Sequence, residues 1–215
     1  MSTVDLTADL FASVPDVRPS QELMAERAVL LRGFARPVEG DLIAALRDVV
    51  EQAPFRHMLT PGGHQMSVAM TNCGSVGWVT DPNGYRYDGF DPCSAKLWPA
   101  MPPSFRELAA RAADRAGFDG FSPDACLINR YQPGARMSLH QDKDETDFDA
   151  PIVSVSLGLP AIFLFGGLQR SDKRAGFGWS MVTSRCGAGR RGLSFTASHR
   201  SRTASMPCWA GSASI

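Results

Sequence analysis

Between Asn129 and Asp144 the chain reads NRYQPGARMSLHQDKD, a segment that admits little besides short strands joined by tight turns. Pro133 and Gly134 divide it into two β-type runs. Successive side chains on a strand point to opposite faces, so residues two apart share one. Asn129 and Tyr131 therefore go together on the first run, and His140, Asp142 and Asp144 on the second. An imidazole and a carboxylate presented side by side can reach one metal ion. Completed by a distant second histidine, they make the facial triad that holds Fe(II) with positions open for a co-substrate and O2. Zinc hydrolases and cupins use the same residue types, and a lone His-x-Asp is more often a surface pair than a ligand pair.

The rest of the chain supports a mainly β fold. Ala125 to Tyr131, Ile152 to Leu157 and Ile162 to Phe165 are β-type runs separated by Pro/Gly turns, the pattern of an antiparallel jelly roll. Ala28 to Phe34 reads as a buried strand and Ser67 to Met70 as a short one. Leu42, Ile43, Leu46, Val49 and Val50 fall at helical spacing within Pro37 to Gln52, and a second helix fits Pro103 to Ala116. Gly74 to Trp98 is rich in Gly, Pro, Asp and aromatics without clear periodicity, which predicts a long functional loop or lid. At 215 residues and 44% hydrophobic, one globular domain with a single core accounts for the whole.

Composition narrows the setting. The first twenty residues lack the basic start and apolar run of a secretory signal, and no segment approaches the length of a membrane span. A cytoplasmic protein without a membrane partner is expected. Cys73, Cys93, Cys126, Cys186 and Cys208 are odd in number and form no CxxC pair, which predicts reduced, non-catalytic thiols. The zero net charge hides an asymmetry: from Arg174 onward there are six arginines and no acidic residue, so the first 173 residues carry sixteen basic against twenty-two acidic groups. Any grip on nucleic acid must then come from a local basic surface.

Several blocks occur together in order: TPGGHQMSVAMTNCG at Thr60 to Gly74, NRY, PGA and LHQDKDE, then PIVSVSLGLPAIFLFGG at Pro151 to Gly167. In these, from about Leu10 to Lys173, the chain resembles the AlkB family of Fe(II) and 2-oxoglutarate-dependent dioxygenases. The resemblance implies an α+β fold, mainly β with flanking helices. Its core is a double-stranded β-helix, incomplete over residues 21–173, with a nucleotide-recognition lid at about 60–98 and a flexible segment at 1–20. It implies that His140 and Asp142 hold Fe(II), and that Asn129, Arg130 and Tyr131 bind 2-oxoglutarate, with O2 as the second co-substrate. It further implies oxidative demethylation of 1-methyladenine and 3-methylcytosine in DNA, acting as a monomer and on single strands. An RNA-directed or protein-directed oxygenase is the alternative substrate class.

By the same resemblance Trp78 stacks on a base flipped out of its strand. Tyr85 and Tyr87 touch backbone or sugar, Met70 lines the pocket, and Arg170 lies near the substrate. Asp144 meets the exocyclic nitrogen of the base, where a carboxylate favours cationic methylated bases over neutral ones. Taken without the family, these residues read more plainly. Asn129 is then a strand-edge amide, Tyr131 and Met70 are core, Trp78 is partly buried, and Asp144 and Arg170 face solvent. His57 and His64 read as loop histidines either way.

Past Lys173 the resemblance stops. The family carries a second metal-binding histidine after an HGDVxxWGG block, then an Arg-x-Asn-(three residues)-Arg segment for 2-oxoglutarate, and residues 174–215 contain neither in register. The genetic code offers a test. Read from the third base of Trp179, the codons permit Val, His, Gly and Asp, and continuing through Cys186 they permit Val, Trp, Gly and Gly. The same shift permits His-Gly-Ile across Phe195 to Ser198, the histidine codon straddling Phe195 and Thr196, and Arg-Ile-Asn across Ser212 to Ile215. Three motifs in one shifted frame predict a frameshift near codons 172 to 178. The segment 174–215 is then an out-of-frame, disordered tail without strand periodicity. On this reading His199 is a by-product and not the third ligand, and the printed chain is a dioxygenase by descent whose activity is in doubt or lost. A basic tail that binds nucleic acid is the competing reading.

Overall fold

The computed structural model describes residues 19–25, 27–132, 134–140, 142, 147, 149–158, 161–166, 169, 171–173, 175–179, 183–187, 196–199 and 205–211. Asp144, Arg170 and the Pro133 of the turn lie outside the described residues, as does most of the segment 1–20. Two helices pack on a sheet. After strands β1 (Gln21–Ala25) and β2 (Ala28–Arg32), a 3-10 turn at Arg36–Val38 leads into α1 (Glu39–Gln52). Pro37 suits that start because its missing N–H has no helical partner to lose, and Glu39 and Asp41 put negative charge on the positive end of the helix. Leu42, Leu46 and Val49 then form the buried stripe. In α2 (Pro103–Arg115) the stripe is Phe105, Leu108, Ala109, Ala112 and Ala113.

Those stripes cover one face of a seven-stranded antiparallel sheet. Its order is β1-β2-β11-β8-β13-β6-β3, where β3 is Ala69–Gly74, β6 Ala125–Arg130, β8 Ile152–Gly158, β11 Thr183–Gly187 and β13 Ser205–Gly211. Alternation sorts the side chains: Val153, Val155 and Leu157 of β8 and Cys126 and Ile128 of β6 join the helix-side core. Leu127 and Tyr131 join a second cluster with Met58, Val68, Met70, Val79 and Trp98. A four-stranded sheet has the order β10-β9-β12-β7, from β7 (Met137–His140), β9 (Ala161–Phe165), β10 (Ala175–Trp179) and β12 (Thr196–His199). Strands β4 (Gly77–Asp81) and β5 (Gly84–Asp88) form a separate hairpin. No helix among the described residues is long and apolar enough to cross a membrane.

Two expectations need correction. The expected loop from Gly74 to Trp98 contains the β4–β5 hairpin, and the wider lid at 60–98 also takes in β3, a strand of the main sheet. The tail expected to be disordered supplies four strands, two of them inside the larger sheet. They fit there unevenly. The β13–β8 ladder runs from Ser205 to Ala210, whereas the β13–β6 ladder begins only at Cys208, one residue past Pro207, which has no N–H to donate.

The corner after β3 turns on Gly74. Its φ of +124° favours glycine, and a Cβ there would strike the Asp124 carbonyl oxygen that already accepts the Ser75 N–H. Gly74→Ala is expected to lower unfolding free energy by about 3 kcal/mol, read from urea denaturation.

Candidate active site

β7 delivers His140 to the edge of the smaller sheet, and Asp142 follows two residues on. His140 Nε2 lies 3.5 Å from Asp142 Oδ1, and His140 Nδ1 lies 2.7 Å from the Ser138 carbonyl. A carbonyl only accepts, so Nδ1 carries the proton and donates it, which leaves Nε2 its lone pair in the neutral ring. A lone pair and a carboxylate oxygen then face each other, an arrangement satisfied by a cation between them or by a second ring proton. Backbone anchoring of the far nitrogen is also how ligating histidines are oriented. His140 and Asp142 therefore fit two positions of an Fe(II) triad. No group of three His, Cys, Asp or Glu capable of holding a metal occurs among the described residues. The fit is partial.

On β6 the odd-numbered residues turn away from the helices. Asn129 is buried, and its Oδ1 has no hydrogen-bond partner among the described residues. Amide O and N are close in shape, so a rotated Asn129 presents a donor at that spot, which suits an anionic oxygen. Tyr131 is buried with its hydroxyl donating to Met137 Sδ at 3.9 Å, which ties β6 to β7 three residues before His140. Arg130 is different. Sitting between Asn129 and Tyr131 it must face the other way, and its guanidinium lies 4.7 Å over the Phe55 ring on the helix side. Its expected place in a 2-oxoglutarate site is corrected accordingly. Met70 lies directly opposite Asn129 and is wholly buried, so it is a core residue and not part of an open pocket wall.

The aromatic residues sit on the hairpin. Trp78 pairs with Tyr87 across the ladder and stacks on Tyr85, ring centroids 5.6 Å apart at 22°. Tyr85 is exposed, and Tyr87 packs toward Val76 and Ala125. A stacked pair with one ring in solvent is a surface on which a base can lie. His57 and His64 are exposed loop residues, and Cys73, Cys93 and Cys126 are thiols outside any disulfide.

The sequence did not reveal what holds the hairpin. Asn72 Nδ2 donates to the Trp78 carbonyl at 3.0 Å, Thr80 Oγ1 to the Leu59 carbonyl at 3.1 Å, and Trp98 Nε1 to the Asp88 carbonyl at 2.9 Å. A Cβ at Gly77 would come within 2.6 Å of the Trp98 ring, so β4 can lie this close only with glycine there. Beneath Trp98 sits Arg56, its guanidinium 5.2 Å from the ring and 2.6 Å from Asp91 Oδ1. Burial pushes the Asp91 carboxyl up, but the Cys93 N–H, Arg56 and the Ser94 hydroxyl outweigh it and leave the pKa below the usual carboxylate value. Within the hairpin Arg86 pairs with Asp81 and Asp88 at 3.0 and 3.5 Å and lowers the Asp81 pKa by hydrogen bonding. Asp91 and Trp98 stand in an aperiodic stretch, where no spacing signals their role.

Comparison with known proteins agrees with this geometry. Residues 27–179 match the model of the 2OG-Fe(II) oxygenase superfamily. The chain is 62% identical to the alpha-ketoglutarate-dependent dioxygenase AlkB of Escherichia coli K12 over 164 residues, 76% of this chain and 74% of that protein. It is 46% identical to the AlkB homolog of Caulobacter vibrioides over 131 residues, 61% of this chain and 58% of that one. The solved structure titled "The structure of OsALKBH1" superposes with a TM-score of 0.78 at 23% identity, over 89% of this chain and 99% of that one.

Proposed function

This chain belongs to the 2OG-Fe(II) oxygenase superfamily and within it to the AlkB family, and we propose that its fold serves oxidative demethylation of 1-methyladenine and 3-methylcytosine in single-stranded DNA. Such enzymes use Fe(II), 2-oxoglutarate and O2. One oxygen atom converts 2-oxoglutarate to succinate and CO2, and the other hydroxylates the N-methyl group, which leaves as formaldehyde. The observation that carries the reading is the His140–Asp142 pair, 3.5 Å apart, with the histidine's other nitrogen fixed by a carbonyl.

The remaining roles belong to the chain's own residues. Asn129, buried with an amide oxygen that has no hydrogen-bond partner among the described residues, supports a place for one 2-oxoglutarate carboxylate near β7. Trp78 and Tyr85 offer an aromatic surface to an unstacked base, and the Arg56–Asp91–Trp98 cluster holds their hairpin steady. The two sheets form a double-stranded β-helix, with the hairpin as its nucleotide-recognition lid. Asp144 and Arg170 keep the substrate roles that the resemblance implies.

The test is equimolar release of formaldehyde and succinate from single-stranded DNA carrying either lesion. Unmethylated DNA, methylated RNA and a methyl-lysine peptide should yield none. Release from RNA or peptide alone would move the substrate class. Trp78→Ala is expected to weaken binding of the methylated strand by about 1–3 kcal/mol, roughly 5- to 150-fold, read by fluorescence anisotropy.

A further inference from the structure

We infer that Met137 is an oxidation site, and that its sulfoxide captures the Tyr131 hydroxyl and withdraws it from the co-substrate. The last step rests on reading Tyr131 as a 2-oxoglutarate residue, and the first two on local geometry. Tyr131 is 9% exposed, and a phenol so buried needs a partner for its O–H. It donates to Met137 Sδ at 3.9 Å. A thioether is a weak acceptor, so this bond leaves the hydroxyl ready for a stronger one. A carboxylate of the co-substrate is such an acceptor. The oxygen of a sulfoxide is another, because oxidation turns an apolar side chain into a polar one.

Four methionines meet the apolar cluster around Tyr131. Met58 and Met70 are 5% and 0% exposed, which shields their sulfurs, whereas Met66 and Met137 are only partly buried. Of the two that solvent reaches, Met137 is the one whose sulfur meets a phenol. The oxidant is a hydroperoxide. The thioether lone pair attacks its terminal oxygen, so that an S–O bond forms and the O–O bond breaks. The hydrogen of that oxygen passes to the departing one, which leaves as water or an alcohol. Sulfur has given up an electron pair and the peroxide has taken it. The new oxygen fits the space: an O–H···O bond needs about 2.7 Å between oxygens, and the 3.9 Å from hydroxyl to sulfur exceeds that by roughly one sulfur–oxygen bond length. A full hydrogen bond then replaces a weak one three residues before His140.

The full chain has three tyrosines, so NMR of isotope-labelled tyrosine Cζ gives one signal for Tyr131, the one that Tyr131→Phe removes. Hydrogen peroxide is expected to add one oxygen to Met137 at least about tenfold faster than to Met70, by peptide mapping, and to shift the Tyr131 signal. Met137→Leu should hold the signal in place under the same treatment. Met137→Gln, whose amide oxygen accepts at similar reach, should shift it with no oxidant present. 2-Oxoglutarate with Zn(II), a diamagnetic stand-in for Fe(II), should move the signal before oxidation and leave it unmoved after. Oxidation of Met70 as fast as Met137, or a shift that persists in M137L, would overturn the oxidation site. A Met137 sulfoxide that leaves the signal where it was would overturn the capture. If peroxide moves the signal and 2-oxoglutarate never does, Tyr131 is no co-substrate residue, a failure of that reading distinct from failure at the methionine.

Discussion

Asp91→Ala is expected to lower the unfolding free energy by about 3–5 kcal/mol, because it removes one partner of a buried ion pair and leaves the other charge uncompensated. The Asp91 side chain is 8% exposed, forms an ion pair with Arg56, and accepts from the Cys93 N–H at 2.9 Å and from the Ser94 hydroxyl at 2.9 Å. Arg56 would stay pinned under the Trp98 ring with no carboxylate. The effect is pH-dependent with a fixed sign. The folded-state pKa of Asp91 is depressed, so its stabilisation is full above the unfolded carboxylate pKa and is lost as pH falls through the folded one. Urea denaturation of parent and variant should therefore differ most near neutrality and converge in acid. Equal stability at neutral pH would mean that the pair contributes nothing. The same variant should weaken binding of methylated single-stranded DNA beyond its effect on folding, since Trp98 braces the strand that carries Trp78.

How much could be read from residues alone depended on which period the side chains advertise. Both helices were legible because Leu42, Leu46 and Val49, and Phe105, Leu108 and Ala112, repeat at helical spacing with a proline at each start. β6 and β8 were legible as apolar runs between turns. The hairpin was not. Tyr85 and Tyr87 do keep strand spacing, but Asp81, Pro82, Asn83 and Gly84 between them and Trp78 carry no apolar signal, and the hairpin is held by hydrogen bonds from Asn72, Thr80 and Trp98. Within the site, the two-residue spacing of His140 and Asp142 translated directly into proximity. For Arg130 the same rule gave the answer that the family motif obscured, since a residue between Asn129 and Tyr131 faces the helices. The tail strands were illegible for another reason: their positions suit strands, while their residues do not.

That mismatch leads to the prediction with the largest effect. Translating the gene one base out of register from about codon 174 is expected to yield a protein whose metal affinity and demethylation rate exceed those of the present chain by more than about a hundredfold, since it regains a ligand and not merely an outer-shell partner. The register gives independent grounds. Pro207 of β13 sits inside the larger sheet where every N–H is wanted. Local chemistry and global position disagree there, as they do when a segment has not been shaped for its place. The family match ends at residue 179, and about a quarter of both the E. coli relative and this chain stays unpaired. The histidine codon of the shifted reading straddles Phe195 and Thr196, and Thr196 is the residue set opposite His140. Sequencing the nucleotides across codons 165 to 215, with the intact mass of the natural product, decides the matter. An unbroken frame encoding RAGFGW and the arginines after it, in a protein of that mass, would sink the frame prediction.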